Sequence, residues 1–239
     1  MICPEECRQT RAGILEPMSY LAFLRRNPSA GLLFVQVLGV VLYPLMETSP
    51  RGRTLFQMFG LLVLGLALWV VRRSPSLTWL GMLLAMPVVV LSVASVIAPQ
   101  PELAIVTAAL ESAFYFYAAG SLIRYMLQDW HVAVDELFAA GATFTLLAWA
   151  FAYLFVVLQG VQPGSFGFGA GGVMRSWTEL LYCSVAVLSS VGLSDIMPVS
   201  PMARALVMLE SFAGIMYIAL VVSRLITLTG NRRAERPRS

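Results

Sequence analysis

The sequence predicts an all-α integral membrane protein: six transmembrane helices, with a re-entrant short helix and loop between the last two. Three observations predict it. Of 239 residues, 59% are apolar and only 12% charged, with a mean hydropathy of +0.79. A soluble domain is about half apolar and a quarter charged, and a disordered chain is poorer still in apolar residues. Six stretches, roughly 30–46, 55–71, 77–97, 103–123, 137–159 and 205–228, approach or reach the ~20 residues that cross a bilayer core. Between the last two lies an apolar segment too short to cross, opened by a helix-start signal. The remainder is an N-terminal arm, short connections, a loop near 160–204 and a tail from about 230. None of these reaches the ~50 residues of a soluble domain, so no attached nucleotide-, calcium- or ligand-binding module is expected.

All sixteen basic residues are Arg. With six spans both termini share one side, and that side collects Arg8, Arg11, Arg25, Arg26, Arg72, Arg73, Arg124, Arg224, Arg232, Arg233, Arg236 and Arg238. Only Arg51, Arg53, Arg175 and Arg204 fall opposite, so the positive-inside rule makes both termini cytoplasmic in a plasma (inner) membrane. Arg51 and Arg53 run against it in the first hairpin.

In the arm, Glu5, Glu6, Glu16 and several Arg interrupt the apolar run that a secretory signal needs. Ile14–Leu24 reads as a short interfacial helix or as a frayed arm. Cys3 and Cys7 have the spacing of half a zinc site, but no second pair of ligands follows, and the single His131 does not complete four. Cys183 reads as a small core residue. No cysteine is assigned a role, and no cofactor is expected.

The first three spans have no ionisable residue at their centres; Pro44 and Pro87 are tolerable in membrane helices. The fourth contains Glu111, costly at that depth and therefore turned to the protein interior. It reads either as a hydrogen-bonded structural group or as a part of gating. No Arg lies between Glu102 and Ile123, so any voltage dependence should be weak. In Tyr125–Glu136, the spacing of Met126, Leu127, Trp130 and Val134 suggests a helix along the cytoplasmic interface. His131 there is solvated or titrates near neutral pH.

After the fifth span, Gln162–Phe166 and a Gly-rich run to Gly172 are turn chemistry. Ser176 followed by Glu179 is a capping box, starting a helix over about Trp177–Leu188. Twelve residues extend about 18 Å, too short to span. Beyond it comes Ser189-Ser190-Val191-Gly192-Leu193-Ser194-Asp195, then Pro198 and the last span. Irregular backbone at membrane depth is tolerated only inside protein or lining a wet cavity. The negative end of the short helix aims at it, which favours a cation there.

This order of span, loop, short helix, Ser-Ser-Val-Gly-Leu-Ser-Asp, Pro and span resembles the pore of tetrameric potassium channels. Val134–Ala140, Pro163–Phe166, Pro198–Leu206, Met208–Glu210 and Val222–Leu225 are similar to bacterial members of the ion-channel family. The resemblance covers about 125–228 and implies the following roles. Ser190, Val191, Gly192 and Leu193 offer filter oxygens to a monovalent cation. Ser194 and Asp195 form the outer mouth, and Gly214 is a gating hinge. Glu210, Tyr182 and Trp177 support the filter, Glu210 either by a hydrogen bond to the short helix or a Tyr, or by tuning filter gating. The implied organisation is an arm (1–29), a peripheral four-helix domain without voltage-sensor arginines (30–124), an interfacial linker (125–136), a pore domain (137–229) and a basic tail (230–239). The implied assembly is a homotetramer in lipid. No nucleic-acid partner is expected.

Two departures stand out. Leu193 replaces the family's usual Tyr, which braces the filter. Ser194 replaces a Gly whose backbone typically has φ above zero, at a cost of roughly 1–2 kcal/mol per chain. Both predict a less rigid filter, with weaker potassium selectivity or an easily collapsed state. The alternatives are a non-selective or sodium-permeable channel, or a non-conducting channel-derived subunit. An intramembrane protease is disfavoured, because the single His131 lies in a polar connection, leaving Ser194 without a base, and no two Asp lie inside spans. A secondary transporter is disfavoured for want of matching broken helices in both halves. The stimulus is left open among tension, lipid, pH and constitutive activity. The tail's Arg232, Arg233, Arg236 and Arg238 either touch anionic lipid or only set topology.

Overall fold

The structure, a computed structural model, describes residues 27–47, 50–71, 78–97, 100–128 and 134–234. Cys3, Cys7, Ile14–Leu24, Arg72, Arg73, His131, Arg236 and Arg238 lie outside the described residues. Seven α-helices stand among those described: α1 (Pro28–Glu47), α2 (Pro50–Val71), α3 (Thr78–Ile97), α4 (Pro101–Gln128), α5 (Val134–Val161), α6 (Trp177–Leu188) and α7 (Pro201–Ala234). A short 3-10 turn, Ala170–Gly172, interrupts the long loop. Tyr125–Gln128 continue α4 and Val134–Glu136 open α5, so the described parts of the expected interfacial linker belong to the two long helices.

Among the described residues three helices are long and apolar enough to cross a membrane: α4 over Pro101–Leu127, α5 over Asp135–Val161 and α7 over Pro201–Arg224. α1, α2, α3 and α6 contribute shorter apolar stretches.

The core forms around α4 and α5, which pack most extensively. Their contacts run antiparallel: Ser112 Oγ donates to the Ala150 carbonyl at 2.9 Å, and Tyr125 meets Asp135 at 3.5 Å. Tyr115 lies stacked on Tyr153 and edge-on to Trp149, and Phe116 is edge-on to Phe151. Such aromatic pairs add about 0.5–1.5 kcal/mol each beyond their burial.

α1 lies parallel to α5, as three contacts in step show. Asp135 accepts from the Ser29 amide and hydroxyl, both at 3.0 Å. Leu33 faces Gly141, and Thr145 Oγ1 donates to Gln36 Oε1 at 2.7 Å. Asp135 thereby caps the start of α1 from another helix, supplying the acceptor its first amides need. The neighbouring Glu136 pairs with Arg224 of α7 at 3.6 Å. One turn of α5 therefore holds both the beginning of α1 and the far part of α7.

Candidate functional site: the α6–loop–α7 unit

The entry to α6 is fixed locally. The Ser176 amide donates to Glu179 Oε2 at 2.7 Å and the Glu179 amide to Ser176 Oγ at 3.4 Å, completing the capping box. Arg175 pairs with Glu179 at 2.8 Å, and Gln159 Nε2 of α5 donates to the Arg175 carbonyl at 2.8 Å. Partial burial pushes the Glu179 carboxyl up. The Ser176 amide and the Arg175 guanidinium outweigh it and leave the carboxyl below its usual range. Trp177 sits at this entry, edge-on to Trp149 and tilted against Tyr153, and so packs on α5 at the opposite end of α6 from the loop.

The axis of α6 follows from three contacts. Ser184 Oγ reaches both the Ala148 carbonyl of α5, at 2.9 Å, and Glu210 Oε1 of α7. Further on, the backbone of Leu188 abuts Gly214, where a methyl group would overlap the Leu188 carbonyl. The pairs 184–210 and 188–214 run in step, so α6 and α7 are parallel. Gly214 lies thirteen positions beyond Pro201, about 20 Å at 1.5 Å per residue. The C-terminal end of α6 therefore lies well inside the length of α7. Glu210 is fully buried, and its bond to the short helix joins α5, α6 and α7 through one hydroxyl.

Ser189–Asp195 follow. The amides of Ser189, Ser190 and Gly192 turn back to the carbonyls of Val185, Val187 and Ala186 at 3.0, 2.9 and 2.9 Å, satisfying the helix end. This return requires left-handed backbone directly after the cap, and Ser190 has φ +61°. Helices usually put Gly at that position. Gly192 follows with φ +68°.

The strain expected at Ser194 is therefore corrected: among the described residues, Ser190 is the non-Gly residue with positive φ. Ser194 closes a tight turn instead. Its amide donates to the Gly192 carbonyl at 3.0 Å, and its hydroxyl accepts from the Ile196 amide at 3.1 Å.

The four oxygens assigned to a cation are on this loop, and two already have partners in the chain: Gly192 O takes the Ser194 amide and Leu193 O takes the Tyr182 hydroxyl at 2.7 Å. The side chains of Val191 and Leu193 are 61% and 73% exposed, and Asp195 is exposed at the loop's far end. Between the loop, α6 and α7 lies a cavity of about 420 Å³ lined by Cys183, Val187, Ser211 and Ile215. The return strand is anchored above it by Cys183 Sγ on the Ile196 carbonyl, and by the Val199 amide on the Ser165 carbonyl at 2.8 Å.

Ser184 and Asp135 are the positioning residues that sequence reasoning did not single out. A lone Ser on an apolar helix is the one local signal for Ser184; nothing local marks Asp135 as the cap of a distant helix.

Residues 141–230, from early α5 to late α7, match a family model described as an ion channel. No curated protein and no solved structure matches the chain. The matched stretch contains the capped short helix, the Ser-Ser-Val-Gly-Leu-Ser-Asp loop and Gly214 in one run, and over these residues the chain is similar to ion channels.

Proposed function

We propose that the protein is a homotetrameric channel for monovalent cations, potassium foremost, with the loop Ser190–Leu193 of each copy lining a shared axis. In this reading α1–α5 and α7 are six spans, α6 is re-entrant, and both termini are cytoplasmic in the plasma membrane. The observation that carries it is the parallel alignment of α6 with α7, which ends the short helix beside Gly214 with its carbonyl end facing the loop. The negative end of a helix favours a cation, and rings of backbone carbonyls replace an ion's hydration shell. Two further features support assembly. Only 17% of the spanning window of α7 is buried within one chain, against 56% for α5. Met208, Leu209, Phe212 and Ile215 are exposed along α7, and Val191 and Leu193 are exposed on the loop. A closed ring would cover such faces.

Asp195 serves as the outer mouth, and Glu210, Tyr182 and Trp177 support the pore helix. Gly214 acts as a hinge or as a close-packing contact, and its position against Leu188 favours the second. Selectivity is reduced relative to a filter braced by Tyr, because Leu193 offers no phenol and a cavity lies behind the loop.

Proteoliposomes holding the purified chain, recorded under potassium/sodium bi-ionic conditions, test this. Unitary cation currents with a modest potassium preference are expected; a preference of roughly a hundredfold or more would refute reduced selectivity, and absence of current would refute conduction. A second reading, a non-conducting subunit, is favoured by the hydrogen bonds already held by Gly192 O and Leu193 O.

A further inference from the structure

A second cavity, of about 490 Å³, lies between α3, α4 and α5, at the end where α3 stops and α4 begins. Its volume is in the range of small-molecule sites. Gln100 and Pro101 are at its rim, Glu111 is in its wall, and Tyr153 and Trp177 close its side.

Two hydroxyls of the lining present acceptors to the cavity. The Ser95 hydroxyl gives its proton to the Ser92 carbonyl at 2.8 Å, and the Thr107 hydroxyl gives its proton to the Leu103 carbonyl at 2.8 Å. Both oxygens are left to the cavity as acceptors. Glu111 adds a carboxyl, hydrogen-bonded by Tyr153. None of the lining residues is Arg. Acceptors, one acidic group and two aromatic walls match the chemistry of a hydrogen-bond-donating cation, which gains the acceptors, the charge and the ring faces together. A cation there also offsets the cost of a carboxylate inside a helix bundle.

We propose that this cavity binds a small organic ammonium ion, with Glu111 as its counter-ion and the rings of Tyr153 and Trp177 against its apolar part. The site does not depend on conduction. Its link to the pore does rest on the channel reading: Trp177 is the first residue of α6, so a ligand against it touches the entry of the short helix.

The test uses the full chain in detergent, with calorimetric titration of phenethylammonium and of its neutral counterpart, 2-phenylethanol. Saturable binding of the ammonium, one per chain and at least tenfold tighter than the alcohol, is expected. Glu111→Gln should weaken the ammonium at least tenfold and leave the alcohol unchanged. Ala104→Phe, on the exposed rim, should abolish binding while keeping the carboxyl, and it decides the matter if Glu111→Gln does not fold. Equal binding of the two probes, or ammonium affinity unchanged by Ala104→Phe, would overturn the proposal. Ion flux is measured separately, so a silent channel that binds phenethylammonium, or a conducting one that does not, separates the failure of one reading from the other.

Discussion

At Leu193 the backbone oxygen is held by the Tyr182 hydroxyl, and in the proposed ring this bond opposes turning that oxygen to the axis. A hydrogen bond of this kind contributes about 0.5–1.5 kcal/mol. Tyr182→Phe should therefore shift the loop towards a free carbonyl roughly three- to tenfold, read as increased open probability in single-channel records; an unchanged record would remove Tyr182 from the filter's control. Ser190 is a matching case in the backbone. Its left-handed conformation costs roughly 1–2 kcal/mol in a residue with a side chain, so Ser190→Gly should raise thermal stability by about 1 kcal/mol, measured by unfolding in detergent. Placing this cost by resemblance put it at Ser194, four residues too late. The helix-end hydrogen bonds that force it are made by Ser190 and Gly192, and their geometry follows from where α6 stops, which residue type alone does not reveal.

Among elements, α6 is the one whose limits the sequence stated most completely. Ser176 and Glu179 form their capping box within four residues, so local chemistry suffices. The carboxyl of Glu179 is stabilised in its charged form, and its contribution is complete above pH 4.5 and fades as pH falls through its depressed folded value. Thermal unfolding of the protein and of Glu179→Gln should thus differ at neutral pH and converge in acid. The contact between Gly214 and Leu188 is different in kind, because a backbone carbonyl cannot rotate away as a side chain can. Gly214→Ala should destabilise by about 1–3 kcal/mol, as overpacking does, and displace the end of α6; a variant as stable as the parent, with altered opening alone, would instead make Gly214 a hinge. The bond between Glu210 and Ser184 was readable only as one option, because its partner lies on another helix and no spacing connects them.

For the whole molecule, the sequence made the apolar helices and the final hairpin visible through hydropathy, yet the parallel pairing of α1 with α5 was not. That pairing depends on Asp135, whose role as a cap exists only after the fold has brought residues 29 and 135 together. The same turn of α5 grips α7 through Glu136 and Arg224, so α1 and α7 share a joint on α5 near one end. Native mass spectrometry from detergent should give four chains as the dominant species, and a monomer or dimer would remove the shared axis.

The α7 window is only 17% buried within one chain, and the proposed assembly that would cover it has a genetic consequence. If four copies close the proposed ring, each supplies one quarter of the passage, and a single faulty copy spoils the other three. Equal co-expression of intact and pore-defective chains would leave roughly one assembly in sixteen wholly intact, far below the half expected if each chain worked by itself.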